Sequence, residues 1–263
     1  MEHEMLDDAN ALAQDCRMRA NYYHFLARLF YEELTDGFID EFVATQAVLP
    51  LDECADENER AFAQGSNRML KFLQRRTPDT LTQTRCDFAH TFLGAGSVTK
   101  VPVSPFESVY ANDGRLIMQQ ARDVACALYA AEGLEVQDHF NMPEDHLSFE
   151  LQYLALLLNR QADALETADA ATAEAYAVRA RNFFGDHLLA WVPVFCEEAR
   201  SLTSTSFYDG LLQTTAAWMA LEAEAYGLDP VTAQREVREL ADEAHAAAAA
   251  NEALLHGELK EVA

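Results

Sequence analysis

FLGAGSVTKVPVSPFESVY, residues 92–110, is the longest stretch of the chain that cannot be helix, and its contrast with its surroundings decides the fold. Gly94 and Gly96 break the periodic run before it. Pro102 and Pro105 lack an amide proton and hold φ at about −65°. Val101 and Ser104, which precede them, are pushed toward extended backbone. Yet the segment is no polar linker, because it holds Val98, Val101, Val103, Phe106, Val109 and Tyr110. A loop this long and this apolar is either pinned to the core or shaped to hold a partner.

Helical spacing surrounds it on both sides. Toward the N-terminus, Leu12, Cys16, Tyr22, Tyr23, Leu26, Leu29 and Phe30 predict one long amphipathic helix from about Leu6 to Glu33. Thr35-Asp36-Gly37 interrupts it, and a shorter helix through Phe38, Phe42 and Val43 runs toward Pro50. A third spans Asp56 to about Arg76. A fourth, capped by Asp79 or Thr80, ends at Gly94.

Toward the C-terminus, Asp113-Gly114 predicts a helix start that leads through Leu116, Met118, Val124, Leu128 and Tyr129 to Gly133. Asn141-Met142-Pro143-Glu144 has the form of a capping box opening a helix to about Leu165. A polar connector, Glu166 to Ala175, offers a possible hinge. The helix after it is kinked or ended by Pro193, and two more are expected, Thr205–Tyr226 and Pro230 to about Ala250. Residues 251–263 are expected to form a frayed acidic tail. Only Val98–Val103 hints at a strand. The expectation is an all-α chain, a single globular bundle of about eight to ten helices within residues 1–250.

With 263 residues, half of them apolar, the chain can bury roughly 70–75% of its unfolded surface. Its 19 Lys and Arg stand against 44 Asp and Glu, a formal charge of −25. So acidic a surface repels phosphate backbones and anionic lipid, so nucleic acid is not expected as a partner. The charge either favours a basic partner or serves solubility alone. With no apolar run near the ~20 residues of a span, stable membrane insertion is not expected. Cys16, Cys54, Cys86, Cys126 and Cys196 are widely spaced without a CxxC, and predict reduced, mostly buried thiols rather than zinc or disulfides. The opening MEHEMLDDAN has no basic or apolar region of a signal peptide. The adjacent Arg75 and Arg76 lie mid-chain and are no export signal.

The predicted helix 142–165 carries the most chemistry. Leu147, Leu151, Leu154 and Leu158 form a core stripe, and His146 and Glu150 stand one turn apart on its shoulder. Such a pair can hydrogen-bond and raise the histidine pKa. HLSFE lacks the second histidine of a zincin, and no Glu-x-x-His of a di-iron bundle occurs. Three Asp-His dipeptides, at 138–139, 145–146 and 186–187, hint at a phosphohydrolase metal site without completing one. No nucleophile elbow or phosphate-cradling loop appears. A helical metal-dependent hydrolase using Asp145, His146 and Glu150 is the alternative among enzymes. An adaptor docking on the mature domain of a partner enzyme is the alternative among binding proteins.

Phe92-Leu93-Gly94, then Pro105-Phe106-Glu107-Ser108-Val109-Tyr110, then Pro143-Glu144-Asp145-His146-Leu147-Ser148-Phe149-Glu150-Leu151, in that order, resemble the TorD/DmsD/NarJ-type redox-enzyme maturation chaperones. The resemblance extends more loosely to RANYYHFLARLF in the first helix. It implies a cytoplasmic chaperone without turnover, monomer or homodimer. Such a chaperone binds the twin-arginine leader and apo form of a molybdopterin oxidoreductase of the DMSO or TMAO reductase type, aiding cofactor insertion and delaying export. No bound cofactor is implied beyond weak guanine nucleotide binding, which no motif here supports. Carried over by position, the implied leader-contact residues are Phe92, Leu93, Pro105, Phe106, Glu107, Ser108, Tyr110, Asp145, His146 and Glu150. Phe106 departs from the tryptophan of many members, and Ser148 stands where a small residue is common. The physics of such a receptor asks for an acidic rim, here Glu107, Asp145 and Glu150. It asks also for an apolar floor, here Phe92, Phe106, Tyr110 and Leu147.

Overall fold

The computed structural model describes the backbone of residues 2–96, 101, 103–136 and 142–261, and the side chains of 8–96, 101, 103–136 and 142–250. Eleven α-helical segments run in order: α1 (Glu2–Tyr31), α2 (Asp36–Thr45), α3 (Glu57–Gln74), α4 (Thr80–Phe92), the single turn α5 (Glu107–Tyr110), α6 (Gln120–Ala131), α7 (Leu147–Glu166), α8 (Ala170–Phe183), α9 (Val192–Arg200), α10 (Ser206–Tyr226) and α11 (Pro230–Glu261). A π-helical turn, Phe184–Leu188, separates α8 from α9. No strand occurs among the described residues, and the chain is the single helical bundle expected. No described helix is long and apolar enough to cross a membrane.

Two helix pairs carry the core. In α1, Cys16, Ala20, Tyr23, Ala27 and Phe30 are buried at steps of four and three; in α7, Leu147, Leu151, Leu154 and Leu158 repeat the steps. Matching stripes of this period let two helices pack side by side along their length, and α1 makes its most extensive contact with α7, antiparallel to it: Arg17 reaches Asp163 while Tyr31 meets Phe149. Each fully buried leucine contributes about 1.5–3 kcal/mol. The second pair, α3 on α10, crosses at glycines. A methyl at Gly65 would strike the Thr214 hydroxyl and stand 2.7 Å from the Gly210 carbonyl, and one at Gly210 would stand 2.8 Å from the Gly65 carbonyl. Only hydrogen at both positions permits that approach.

Polar ties lock the layers. Asp87 of α4 accepts from the amides of Ser204 and Thr205, both at 2.8 Å, and from the Thr205 hydroxyl at 2.6 Å, just where α10 begins. Glu222 of α10 accepts from Tyr23 at 2.7 Å and Arg19 at 2.8 Å on α1.

Five boundaries differ from the sequence expectation. The helix expected at Asp113 starts at Gln120, because Arg115 and Met118 adopt left-handed backbone, φ 47° and 59°. There Asn112 folds onto Leu116, and Arg115 plunges inward to grip Glu198 with two bonds of 2.7 and 2.8 Å. The helix expected from Asn141 starts at Leu147: Glu144 pairs with Arg122 at 2.6 Å instead of closing a capping box, and Asn141 lies outside the described residues. Pro193 opens α9 rather than ending its predecessor, as suits a residue with no amide to offer the first turn. Three residues, Thr167 to Asp169, replace the longer connector, and Asp169 caps α8. α11 continues as helix to Glu261, beyond the expected Ala250. Of the five cysteines, all free, only Cys16 and Cys196 are buried, so the thiols are less enclosed than expected. Asp138-His139 and most of Val98–Val103 lie outside the described residues.

Candidate functional site

The site is built where the end of the proline-bearing loop meets the segment before α7. Leu147 donates its amide to the Pro105 carbonyl at 2.9 Å, and Glu107 donates its amide to the Asp145 carbonyl at 3.0 Å. Between them Phe106 and His146 pair as an isolated antiparallel bridge. Each side then caps the other's helix or its own. The Asp145 carboxylate accepts from the Ser108 amide at 2.9 Å, at the start of α5, where a negative charge meets unpaired amides. His146 caps α7: its Nδ1 accepts from the Ser148 amide at 3.2 Å and faces the Ser148 hydroxyl at 2.7 Å. The loop is therefore pinned to the core at this end.

This geometry corrects the expected His146–Glu150 pair. His146 uses its ring nitrogen on Ser148, its ring sits edge-on to Phe106, and burial lowers its pKa to about 3 rather than raising it. Glu150 instead accepts from the indole of Trp191 at 3.2 Å. Burial, then the nearness of Glu107 and Asp145, raises the Glu150 carboxyl well above the usual range, so it holds its proton. Glu107, the third carboxyl, faces His187 Nδ1 at 3.0 and 3.2 Å, presented by the π-helical turn.

The expected rim and floor are mostly inside the protein. Asp145 and Glu150 are wholly buried, and Phe92, Tyr110 and Leu147 are core residues. Phe92 packs against Phe30, Phe88, Phe195 and Tyr208, and Tyr110 stacks on Trp191 at 5.4 Å. Pro105, Ser108 and His146 are also buried, Phe106 is half-buried and Leu93 lies exposed. The reason is the shared core stripe of α7, which draws its shoulder residues inward once α5 and α9 close over them. Asp145, His146 and Glu150 each commit one polar atom to Ser108, Ser148 and Trp191, while Asp145 Oδ1 and Glu150 Oε1 are buried without a hydrogen-bond partner. No grouping of three His, Cys, Asp or Glu side chains suited to a metal occurs among the described residues.

Glu107 alone of the three reaches open space. Although only 7% exposed, it borders a cleft of about 480 Å³ shared by α5, the π turn, the α10–α11 turn and α11. Asp186, Asp229 and Glu236 stand around the same cleft, with Trp191, Leu228 and Val237 among its apolar walls. Sequence reasoning missed Asp229 and Glu236, which are ordinary surface acids until the fold brings them together. It noticed Asp186-His187, but as a possible metal motif; the histidine serves Glu107 instead. A second hollow of about 310 Å³ opens between α1, α6 and α7, walled by Tyr31, Tyr129, Phe149, Tyr153 and Leu156. Tyr129 links it to the site by donating to the Glu144 carbonyl at 3.0 Å.

Comparison with known proteins places the chain with the TorD-type maturation chaperones. The model of the family described as "Nitrate reductase delta subunit" matches residues 55–197, and the chain belongs to that family. Among curated relatives, "Chaperone protein TorD" of Vibrio cholerae is 28% identical over 208 residues, covering 76% of this chain and 88% of its own. The protein of that name from Vibrio vulnificus is 26% identical over 211 residues, covering 78% and 93%. Another from Psychrobacter is 26% identical over 197 residues, covering 74% and 85%. These relatives are chaperones by name and not enzymes, and the chain is placed with them.

Proposed function

We propose that this chain is a cytoplasmic maturation chaperone that grasps the twin-arginine leader of a molybdopterin oxidoreductase of the DMSO or TMAO reductase type, and holds the apoenzyme until its cofactor is inserted. The observation that carries the reading is Glu107. The clasp between Pro105–Glu107 and Asp145–Leu147 holds its carboxylate at the wall of a cleft that is both acidic and apolar. A leader joins a basic head to an apolar run, and such a cleft complements both. In this reading Asp145, His146, Ser108 and Glu150 position the clasp from within, and Phe106 and Leu93 are left to touch the peptide. An affinity around micromolar, roughly −8 kcal/mol, would suit a client that must later depart.

Fluorescence anisotropy with twin-arginine leader peptides tests this. Asp186→Lys, at an exposed position, should weaken binding several-fold with the helical circular-dichroism signal unchanged. Glu107→Lys should weaken it further. A folded protein that binds no such leader would overturn the reading.

A further inference from the structure

Another cleft of the molecule carries the opposite sign. It holds about 460 Å³ where the end of α3 meets the starts of α4 and α10, and it shares no lining residue with the acidic cleft. Arg68, Lys71 and Arg75 line it together with Phe72, Gln83 and Ser206, and no carboxylate does among the described residues. In a chain of 44 acids and 19 bases such a lining is the exception. Most described cations are already paired, among them Arg17 with Asp163, Arg19 with Glu222, Arg76 with Asp40 and Arg115 with Glu198. Lys71 and Arg75 stand exposed, and neither makes an ion pair among the described residues.

The spacing of the three cations says what they suit. Steps of three and four place residues 68, 71 and 75 within about 60° around α3 and about 10 Å along it. A row of this kind matches carboxylates repeated along a polypeptide. A compact phosphate asks instead for donors converging from several sides, as a glycine-rich loop supplies, and no glycine lines this cleft. Asp209, in the first turn of α10, already demonstrates the chemistry: its carboxylate meets the Arg68 guanidinium and accepts from Arg200 at 2.8 Å. The acidity of the rest of the surface does not forbid an acidic ligand. At physiological salt the screening length is about 8 Å, so a segment seated on the row feels those cations first.

We propose that the cleft between α3, α4 and α10 is a docking site for an acidic segment of a partner protein. Lys71 and Arg75 pair with the carboxylates of that segment, Arg68 extends the row, and the half-buried ring of Phe72 gives it an apolar contact. The site does not depend on the leader-binding reading, because the two clefts have no residue in common.

The test uses the full chain and three probes: a short fluorescent peptide rich in Asp and Glu, its Asn and Gln counterpart, and inorganic triphosphate. Anisotropy should show the acidic peptide binding, its neutral counterpart failing to bind, and the affinity dropping as salt is raised. The double variant Lys71→Gln/Arg75→Gln should weaken the acidic peptide about fivefold with the helical circular-dichroism signal unchanged. Arg160→Gln/Arg235→Gln removes the same charge at exposed positions outside the cleft and should leave the affinity as it was. No binding of the acidic peptide, or equal effects of the two double variants, would overturn the proposal. Triphosphate binding more tightly than the peptide, and losing affinity in the Lys71→Gln/Arg75→Gln variant, would overturn it in favour of a small phosphate ligand.

Discussion

The indole of Trp191 donates to Oε2 of Glu150 across 3.2 Å, joining the first turns of α7 to the residue that precedes α9, directly behind the cleft. The bond makes a buried carboxyl the hinge-pin between two helices that are distant in sequence. Its protonation therefore bears on the stability of the whole site.

Burial and the facing Glu107 raise the Glu150 carboxyl, so the folded chain keeps a proton there that the unfolded chain gives up above the ordinary glutamate value. The folded state binds more protons across that window, and stability falls as pH rises through it. Glu150→Gln preserves an acceptor for Trp191 and has no proton to lose. Thermal melts should show the variant gaining on the parent as pH climbs from the carboxylate range toward neutrality; parallel pH profiles would contradict this.

His146 works in the opposite direction. Burial holds it neutral to about pH 3 in the folded chain, while the unfolded imidazole takes a proton below about 6.5. The unfolded state then binds more protons between those values, so stability drops as pH falls through the window. His146→Asn keeps a side-chain acceptor for the cap. Urea titrations from neutrality to the acid limb should show a shallower decline for the variant.

Asp87 gathers two amides and a hydroxyl at the start of α10 while itself buried. Asp87→Ala orphans those donors and should cost about 2–4 kcal/mol by chemical denaturation. Asp87→Asn, which retains one acceptor, should cost less.

Gly65→Ala forces α3 away from α10, because the added methyl meets the Gly210 carbonyl and Thr214 rather than a flexible side-chain end. Overpacking of this kind typically costs about 1–3 kcal/mol. Gly37→Ala is the control, since a methyl there meets nothing within 4 Å. Calorimetric melts of the two variants should separate clearly.

Much was legible in the chain itself. The spacing of Cys16, Tyr23 and Phe30 and of Leu147, Leu151, Leu154 and Leu158 settles helix and inward face together, because one period of 3.6 residues governs both. Pro105 and the glycines exclude helix from the loop whatever surrounds it, since they act through covalent geometry and sterics. The motif residues also come together in the fold, around the clasp of Pro105–Glu107 with Asp145–Leu147. Tertiary structure alone decided which carboxyl looks outward. Glu107, Asp145 and Glu150 are equally acidic in sequence, but α5, the π turn and α9 close over two of them and leave one at the cleft. Desolvation depends on what packs around a group, and those neighbours come from segments up to eighty positions away, as His187 is from Glu107. The same holds for Asp229 and Glu236, whose shared cleft with Glu107 exists only once α11 has folded back across it.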